Sequence, residues 1–392
     1  MFLREITLRN LLSFGPETPP FALRNLNVLI GPNGSGKSNF IEAIGLLRAT
    51  AGDLSKPFSD GVGEWIWKGM PGGFAQIEVE VRQPEAPKLA RHAFAFEERM
   101  DRLNIVNEEI SAFSPGGWRA ELYSNEGRLT IPEAAGGAAG FFMRHFDAGQ
   151  SVLSQIGVYD PLAVALGHSR ANLLELINLE RSYREIKIFR EWSFGARSPV
   201  RQFQRADQKG EFPSEDFENL GLVLNRLRHT PAVKRRILES LHDLYDGITD
   251  FDVSVFGGMF RLYLEEGDRS IPAFRLSDGT LRYLCLLAIL CHPEPPPLIC
   301  IEEPELGLHP DVLVNLAKLI KEASERTQLI ITTHSEILVD ALTYSPEDVV
   351  ICEKGESGTV MRRLDPDDLE VWLEDYTLGQ LWSRGQIGGN RW

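Results

Sequence analysis

The chain has 392 residues, 43% hydrophobic and 25% charged, and its 41 Lys and Arg against 56 Asp and Glu give a formal net charge of −15. That length holds two or three domain-sized units and a large core. The acidity excludes a general polyanion binder and leaves only a local basic patch for any nucleic-acid contact.

Four cysteines, Cys285, Cys291, Cys300 and Cys352, sit in apolar surroundings without C-x-x-C spacing. This points to buried thiols in a reducing compartment, not to disulfides or zinc. The start, Met1-Phe2-Leu3-Arg4-Glu5, carries no signal-peptide pattern. The longest apolar run, 283–291, is too short to cross a bilayer. The expected place is the cytoplasm, with no membrane partner.

In chain order, residues 3–8 alternate as a first strand that 10–14 continue, before Gly15-Pro16 and Pro19-Pro20 turn the chain. Residues 26–30 (Leu-Asn-Val-Leu-Ile) read as a short buried strand, and 38–48 as a helix with Phe40, Ile41, Ile44 and Leu47 on one stripe. Between them lies Gly31-Pro32-Asn33-Gly34-Ser35-Gly36-Lys37-Ser38, which fits G-x-x-x-x-G-K-[ST]. Glycines let the backbone turn its N–H groups inward around phosphate. Lys37 supplies a point charge to the β- and γ-phosphates, and the Ser38 hydroxyl can hold Mg²⁺. Strand, loop and helix N-terminus is the context such an anion site needs.

Residues 51–73, rich in glycine and aromatics, read as a packed surface loop, with a loop near the nucleotide as the alternative. The period-two runs 75–81, 90–96, 103–110 and 118–123, with a turn at Ser124-Asn125-Glu126-Gly127, predict a mostly antiparallel sheet. Residues 134–140 read as a flexible connection. Helical patterns follow at 172–191, 217–228 and 231–245, none with a sustained heptad repeat. Residues 251–256 and 259–265 predict a hairpin turning at Gly257-Gly258. A last hairpin (349–354, 359–364), a short helix (367–374) and a glycine-rich tail close the chain.

Residues 297–301 form a continuous apolar run that ends in Glu302 and Glu303. This predicts a buried parallel strand delivering two carboxylates to its C-terminal end, where α/β sheets bind ligands. One acid is needed to hold Mg²⁺, the other to orient and deprotonate the attacking water. Ser277-Asp278-Gly279 precede a helix and offer a hydroxyl and backbone N–H groups at its N-terminus. His334 follows a second strand end at 331–333.

In this order the motifs resemble the ATP-binding-cassette ATPases of the RecF/SMC/OLD type, and the run 301–310 (Ile-Glu-Glu-Pro-Glu-Leu-Gly-Leu-His-Pro) resembles the RecF-like AAA ATPases within that group. The resemblance implies an α/β P-loop NTPase fold of ABC/RecF type, with a parallel core sheet, an antiparallel β lobe and a mixed, mainly helical insertion. It implies lobe I with the Walker A loop at 1–83, the antiparallel part at 84–150, the insertion at 151–270, the core with signature, Walker B and switch histidine at 271–364, and a C-terminal helix and tail at 365–392. It implies ATP and Mg²⁺ as cofactors and an ATP-dependent homodimer. Glu303 is then the catalytic base and His334 the γ-phosphate contact. Glu302 stands where the family usually has an Asp, one methylene shorter. Gln155 is the Q-loop residue, for nucleotide and metal. Ser277, Asp278 and Gly279 are the signature that serves the opposite subunit, and His309 stands where related ATPases often carry an aspartate.

Residues 181–209 carry eight basic residues against three acidic, interleaved with Tyr183, Phe189, Trp192, Phe194 and Phe203. One reading is DNA contact through Arg197, Arg201 and Arg205, with aromatics stacking on bases. The other is a solvated face whose aromatics pack inward. The expected function is an ATPase acting in DNA transactions such as repair or phage defence. The alternative is a scaffold or sensor controlling a separately encoded effector, perhaps a nuclease. A stand-alone nuclease or a transporter ATPase fits less well.

Overall fold

A computed structural model describes residues 1–69, 73–82, 89–114, 117–125, 128–130, 147–156 and 170–389. The predicted connection at 134–140 lies outside them. The organising element is a six-stranded sheet in the order Gly358–Arg363, Val349–Gly355, Leu26–Ile30, Gln328–Thr332, Leu298–Glu302, Lys187–Phe189. All neighbours are parallel except the first pair, an antiparallel hairpin. Strands Leu26–Ile30 and Gln328–Thr332 are buried along their whole length, as a sheet covered on both faces requires.

The covering follows from strand alternation. Ile299, Ile301, Leu329 and Ile331 face a core shared with the helices Leu220–Leu227, Pro231–Leu244, Asp278–Leu290 and Pro310–Ser324. Leu298, Cys300 and Ile330 face a second core with the helix Lys37–Thr50 and an antiparallel sheet. That sheet has seven strands, in the order Phe21–Ala22, Leu3–Arg9, Ala75–Arg82, Leu89–Arg99, Arg102–Ser114, Gly117–Asn125, Arg128–Thr130. Ala75, Ile77, Val79 and Val81 point inward at every second position of their strand. A third sheet pairs Met259–Glu266 with Ile248–Phe256, Gln204–Arg205 and Arg269–Pro272, and the predicted turn at Gly257-Gly258 joins the first two.

Two local expectations are corrected. Residues 10–14 do not continue the first strand: Asn10 and Leu12 both have φ of 52°, and Leu11 bridges Phe14 in a tight turn. The helix expected to 191 ends at Glu185, and Lys187–Phe189 becomes the edge strand beside Leu298–Glu302. Ile188 and Phe189 are buried there, so sheet pairing outweighs the helical pattern that precedes them. The C-terminal tail packs back on its own core, with Leu378, Leu381, Trp382 and Ile387 all buried. Its Gly389 N–H donates to Glu353 Oε1 (2.8 Å), and a side chain at Gly389 would come within 3.7 Å of Gly31 Cα.

The four cysteines are free and buried, and burial pushes the Cys291 and Cys352 thiols up to about 12. Among the described residues no helix is long and apolar enough to cross a membrane.

Candidate nucleotide site

Strands Leu26–Ile30, Gln328–Thr332 and Leu298–Glu302 are adjacent and parallel, so their C-terminal ends share one edge. Three chemical features meet there: the glycine loop from Gly31, the Thr333-His334 step, and the Glu302-Glu303 pair. They surround a pocket of about 150 Å³ lined by Asn33, Gly34, Gly36, Lys37, Ser38, Asn39, Glu303, Thr332 and His334.

The loop's glycines are required by geometry. Gly36 has φ of 99°, and a Cβ there would lie 2.2 Å from Thr359 Oγ1. Gly31 has φ of 151°, and a Cβ would lie 2.2 Å from the Cys352 carbonyl. The helix Lys37–Thr50 that follows has no side-chain cap at its N-terminus, so its first N–H groups face the pocket as an anion site. Ser35 Oγ is buried in the loop without a hydrogen-bond partner among the described residues. Ser13 and Thr359, which the sequence reading passed over, brace the loop: Thr359 Oγ1 bonds Ser13 Oγ at 2.7 Å and the Ser35 carbonyl at 3.1 Å.

Lys37 Nζ donates to the Gly31 and Pro32 carbonyls at 2.6 and 3.1 Å. Burial lowers its pKa, opposed by Cys352, Glu303, Glu302 and Glu305. Ser38 Oγ lies 3.2 Å from Glu302 Oε2. These are hard oxygen donors aimed at one spot, the donor set that Mg²⁺ prefers. Among the described residues no group of three or more His, Cys, Asp and Glu could hold a metal by itself. A divalent ion here would take one or two protein oxygens and complete its shell with water or phosphate oxygens.

Glu303 sits in the left-handed region at φ of 47°, which costs a residue with a Cβ about 1–3 kcal/mol. Hydrogen bonds to its backbone hold it there: its N–H donates to the Thr332 carbonyl (3.0 Å) and Oγ1 (3.3 Å), and its carbonyl accepts from Arg282 Nη1 (3.0 Å) and Leu306 N–H (3.2 Å). The carboxylate thereby faces the pocket, with Oε1 3.7 Å from His334 Nε2. Glu305 fixes the histidine step by accepting from His334 N–H (2.7 Å) and Thr333 Oγ1 (2.8 Å).

Burial and then the Lys37 charge hold the His334 imidazole below its ordinary value, against the pull of Glu303 and Glu305. His334 is therefore mostly neutral at pH 7, and its protonation, which would place a cation against Glu303, is half complete only in solution more acid than the ordinary imidazole value of about 6.5. ATP turnover should show an acid limb with its midpoint below that value, and His334→Gln should abolish it. A midpoint above about 6.5, or a limb unchanged in the variant, assigns the titration to another group.

Not every expected residue joins the pocket. Gln155 does not line it; its amide donates to the Gln150 and Ser151 carbonyls at 3.2 and 3.3 Å. Ser277, Asp278 and Gly279 do not line it either. Ser277 Oγ caps the helix Asp278–Leu290 by accepting from Thr280 N–H (3.1 Å), and Asp278 is exposed. A Cβ on Gly279 would lie 2.6 Å from the Gly307 carbonyl, so this glycine lets the helix Asp278–Leu290 close on the loop after the two glutamates. His309 caps the next helix.

In the basic segment the structure removes Arg201 from the expected DNA contact and turns most of the aromatics inward, as the second reading has it. Arg201 is 9% exposed, donates to the carbonyls of Phe194, Ala273, Phe274 and Leu276, and pairs with Asp278. It holds the turn at Leu276–Asp278 and is not available to DNA. Tyr183, Phe189 and Phe194 are buried and Trp192 packs against that core, so they cannot stack on bases. Arg205 is exposed but pairs with Asp207, and Arg197 is exposed. Arg190 reaches the nucleotide site instead: its Nε and Nη2 donate to Glu302 Oε1 at 3.2 and 3.0 Å.

The family described as "AAA domain, putative AbiEii toxin, Type IV TA system" matches residues 26–103 and 177–340. No curated protein matches the chain. Among solved structures it is similar to an Smc head bound to the C-winged helix domain of ScpA, at 14% identity and TM-score 0.55 over 94% of this chain and 99% of that one. It is similar to the same degree, 14% and 0.55, to the Smc head domain with an extended coiled coil from Pyrococcus furiosus, over 95% of this chain and 99% of that one. The likeness to the Smc heads is one of fold; with more than half of its length matched by the family model, the chain belongs to the AAA-domain family so described.

Proposed function

We propose that the chain binds ATP at the 31–38 loop and hydrolyses it, as a pair of chains arranged head to tail. The supporting observation is the convergence of Lys37, Ser38, Glu303 and His334 on one small pocket at the end of the parallel sheet. Lys37 and the uncapped helix N-terminus hold the phosphates. Ser38 and Glu302 hold Mg²⁺, which supplies charge neutralisation on the phosphate oxygens. Glu303 takes the proton of the attacking water, and neutral His334 hydrogen-bonds at the γ-phosphate without cancelling the base. Ser277 and Asp278 are exposed, and neither they nor Gly279 line their own chain's pocket, which suits use as a signature in a partner's site. Gln155 serves this site only if its amide leaves the Gln150 and Ser151 carbonyls.

For the biological task, the burial of Arg201 and of the aromatics Tyr183, Phe189 and Phe194 favours control of a separately encoded protein over direct DNA contact. The matched family's description, a component of a toxin–antitoxin pair, suits that reading. ATP turnover should therefore be unaffected by single- or double-stranded DNA. The double variant Arg197→Glu/Arg205→Glu, which spares buried Arg201, should leave fold and turnover unchanged. Salt-sensitive DNA binding that this variant weakens would restore the DNA reading.

A further inference from the structure

Glu302 has both carboxylate oxygens engaged. Oε2 accepts from Ser38 Oγ, the hydroxyl expected at the metal, and Oε1 accepts the two donors of Arg190. The arginine is delivered by the fold. Lys187–Phe189 runs parallel to the Glu302 strand, with Phe189 opposite Ile301, so the next residue on each strand, Arg190 and Glu302, emerges at the same level. The segment is anchored on either side. Ile188 N–H donates to Glu215 Oε1 (2.7 Å), Glu215 pairs with Arg48, and Trp192 Nε1 donates to the Glu302 carbonyl (2.9 Å).

Arg190 also has somewhere to go. Its Nη2 already lies 3.4 Å from Glu42 Oε1, its side chain is 35% exposed, and it borders a cleft of about 1010 Å³ whose walls include Glu42, Asp53, Glu191 and Glu215. A bidentate guanidinium and a divalent cation make the same demand on one carboxylate and repel each other.

We propose that Arg190 is a positioning residue that competes with the divalent ion for Glu302. It holds the carboxylate against Ser38 when no metal is bound, and metal entry releases it toward Glu42 and the cleft. This rests on the nucleotide-site reading above. Because Trp192 is tied to the same glutamate, the 190–192 segment would carry the metal state outward to the insertion core around Phe194 and Phe217.

The test is binding of a fluorescent ATP analogue to the full chain across a magnesium titration, which requires no hydrolysis. Arg190→Ala and Arg190→Gln should lower the magnesium midpoint by about three- to tenfold, because the competing cation is gone, whereas Arg190→Lys should stay within about twofold of wild type. Thermal unfolding identifies any variant that has not folded, and the glutamine variant keeps most of the side-chain bulk. Nucleotide binding with an unshifted or raised midpoint in both neutral variants overturns the competition alone. Failure of the wild type to bind the analogue at any magnesium concentration overturns the nucleotide-site reading and this inference together.

Discussion

Replacing Glu303 with glutamine is expected to lower ATP turnover by about 10²–10⁴-fold, the usual loss when a positioned general base is removed, while nucleotide binding persists. The substitution keeps size and shape, so the backbone at φ of 47° and its bonds to Thr332 and Arg282 need not change. What disappears is a charged acceptor at the end of the strand, 3.7 Å from His334. Binding would still draw two chains together but hydrolysis could no longer part them. Light scattering in ATP and magnesium should therefore show a dimer in the variant that persists after wild type has returned to monomer. Phosphate release at the wild-type rate would mean that the base is another residue. Glutamine at this position is more informative than alanine, because it leaves the neighbouring Glu302–Ser38 contact undisturbed.

The parts of the site that could be read in the sequence are those whose chemistry is written locally. The strand at 26–30, the glycine loop, the acid-ended strand and the histidine each declare themselves within ten residues, and the parallel sheet that unites them follows from their apolar, turn-bounded runs. Partner choice could not be read. Arg190 and Arg201 look alike in a basic stretch, yet one reaches Glu302 and the other ties down the turn at Leu276 and Asp278. Those acceptors are more than 70 residues away along the chain, and a local charge count holds no information about them. Lys187–Phe189 was obscure for a related reason: three residues following a helix become a strand only because the edge of Leu298–Glu302 is open to pair with them. Gln155 was placed by its order after the antiparallel sheet, but order does not aim a side chain, and its amide satisfies itself on its own turn. The Ser13–Thr359 brace joins residues from opposite ends of the chain, and no spacing rule reaches that far.

A mixture of Lys37→Ala and Ser277→Arg chains should recover ATP turnover that neither has alone. Lys37→Ala removes the phosphate charge from its own pocket, and Ser277→Arg places a bulky cation on the exposed signature. If each site joins one chain's loop to the other's signature, both homodimers have two damaged sites. In the mixed dimer both lesions fall on one site, and the other combines an intact Lys37 with an intact Ser277. Random pairing at equal amounts then restores about a quarter of wild-type turnover, provided the sites work independently. The signature's position supports this design: Ser277 and Asp278 are exposed and line no part of their own chain's pocket. Ser277→Arg also removes a helix cap, the Thr280 N–H bond, at a cost of about 0.5–2 kcal/mol, which a chain with a stability of about 5–15 kcal/mol tolerates. Thermal unfolding of each variant separates this modest loss from misfolding. Two folded, inactive chains that stay inactive when mixed would mean that each molecule completes its own site, and the head-to-tail pair would have to be given up while the nucleotide pocket itself stood.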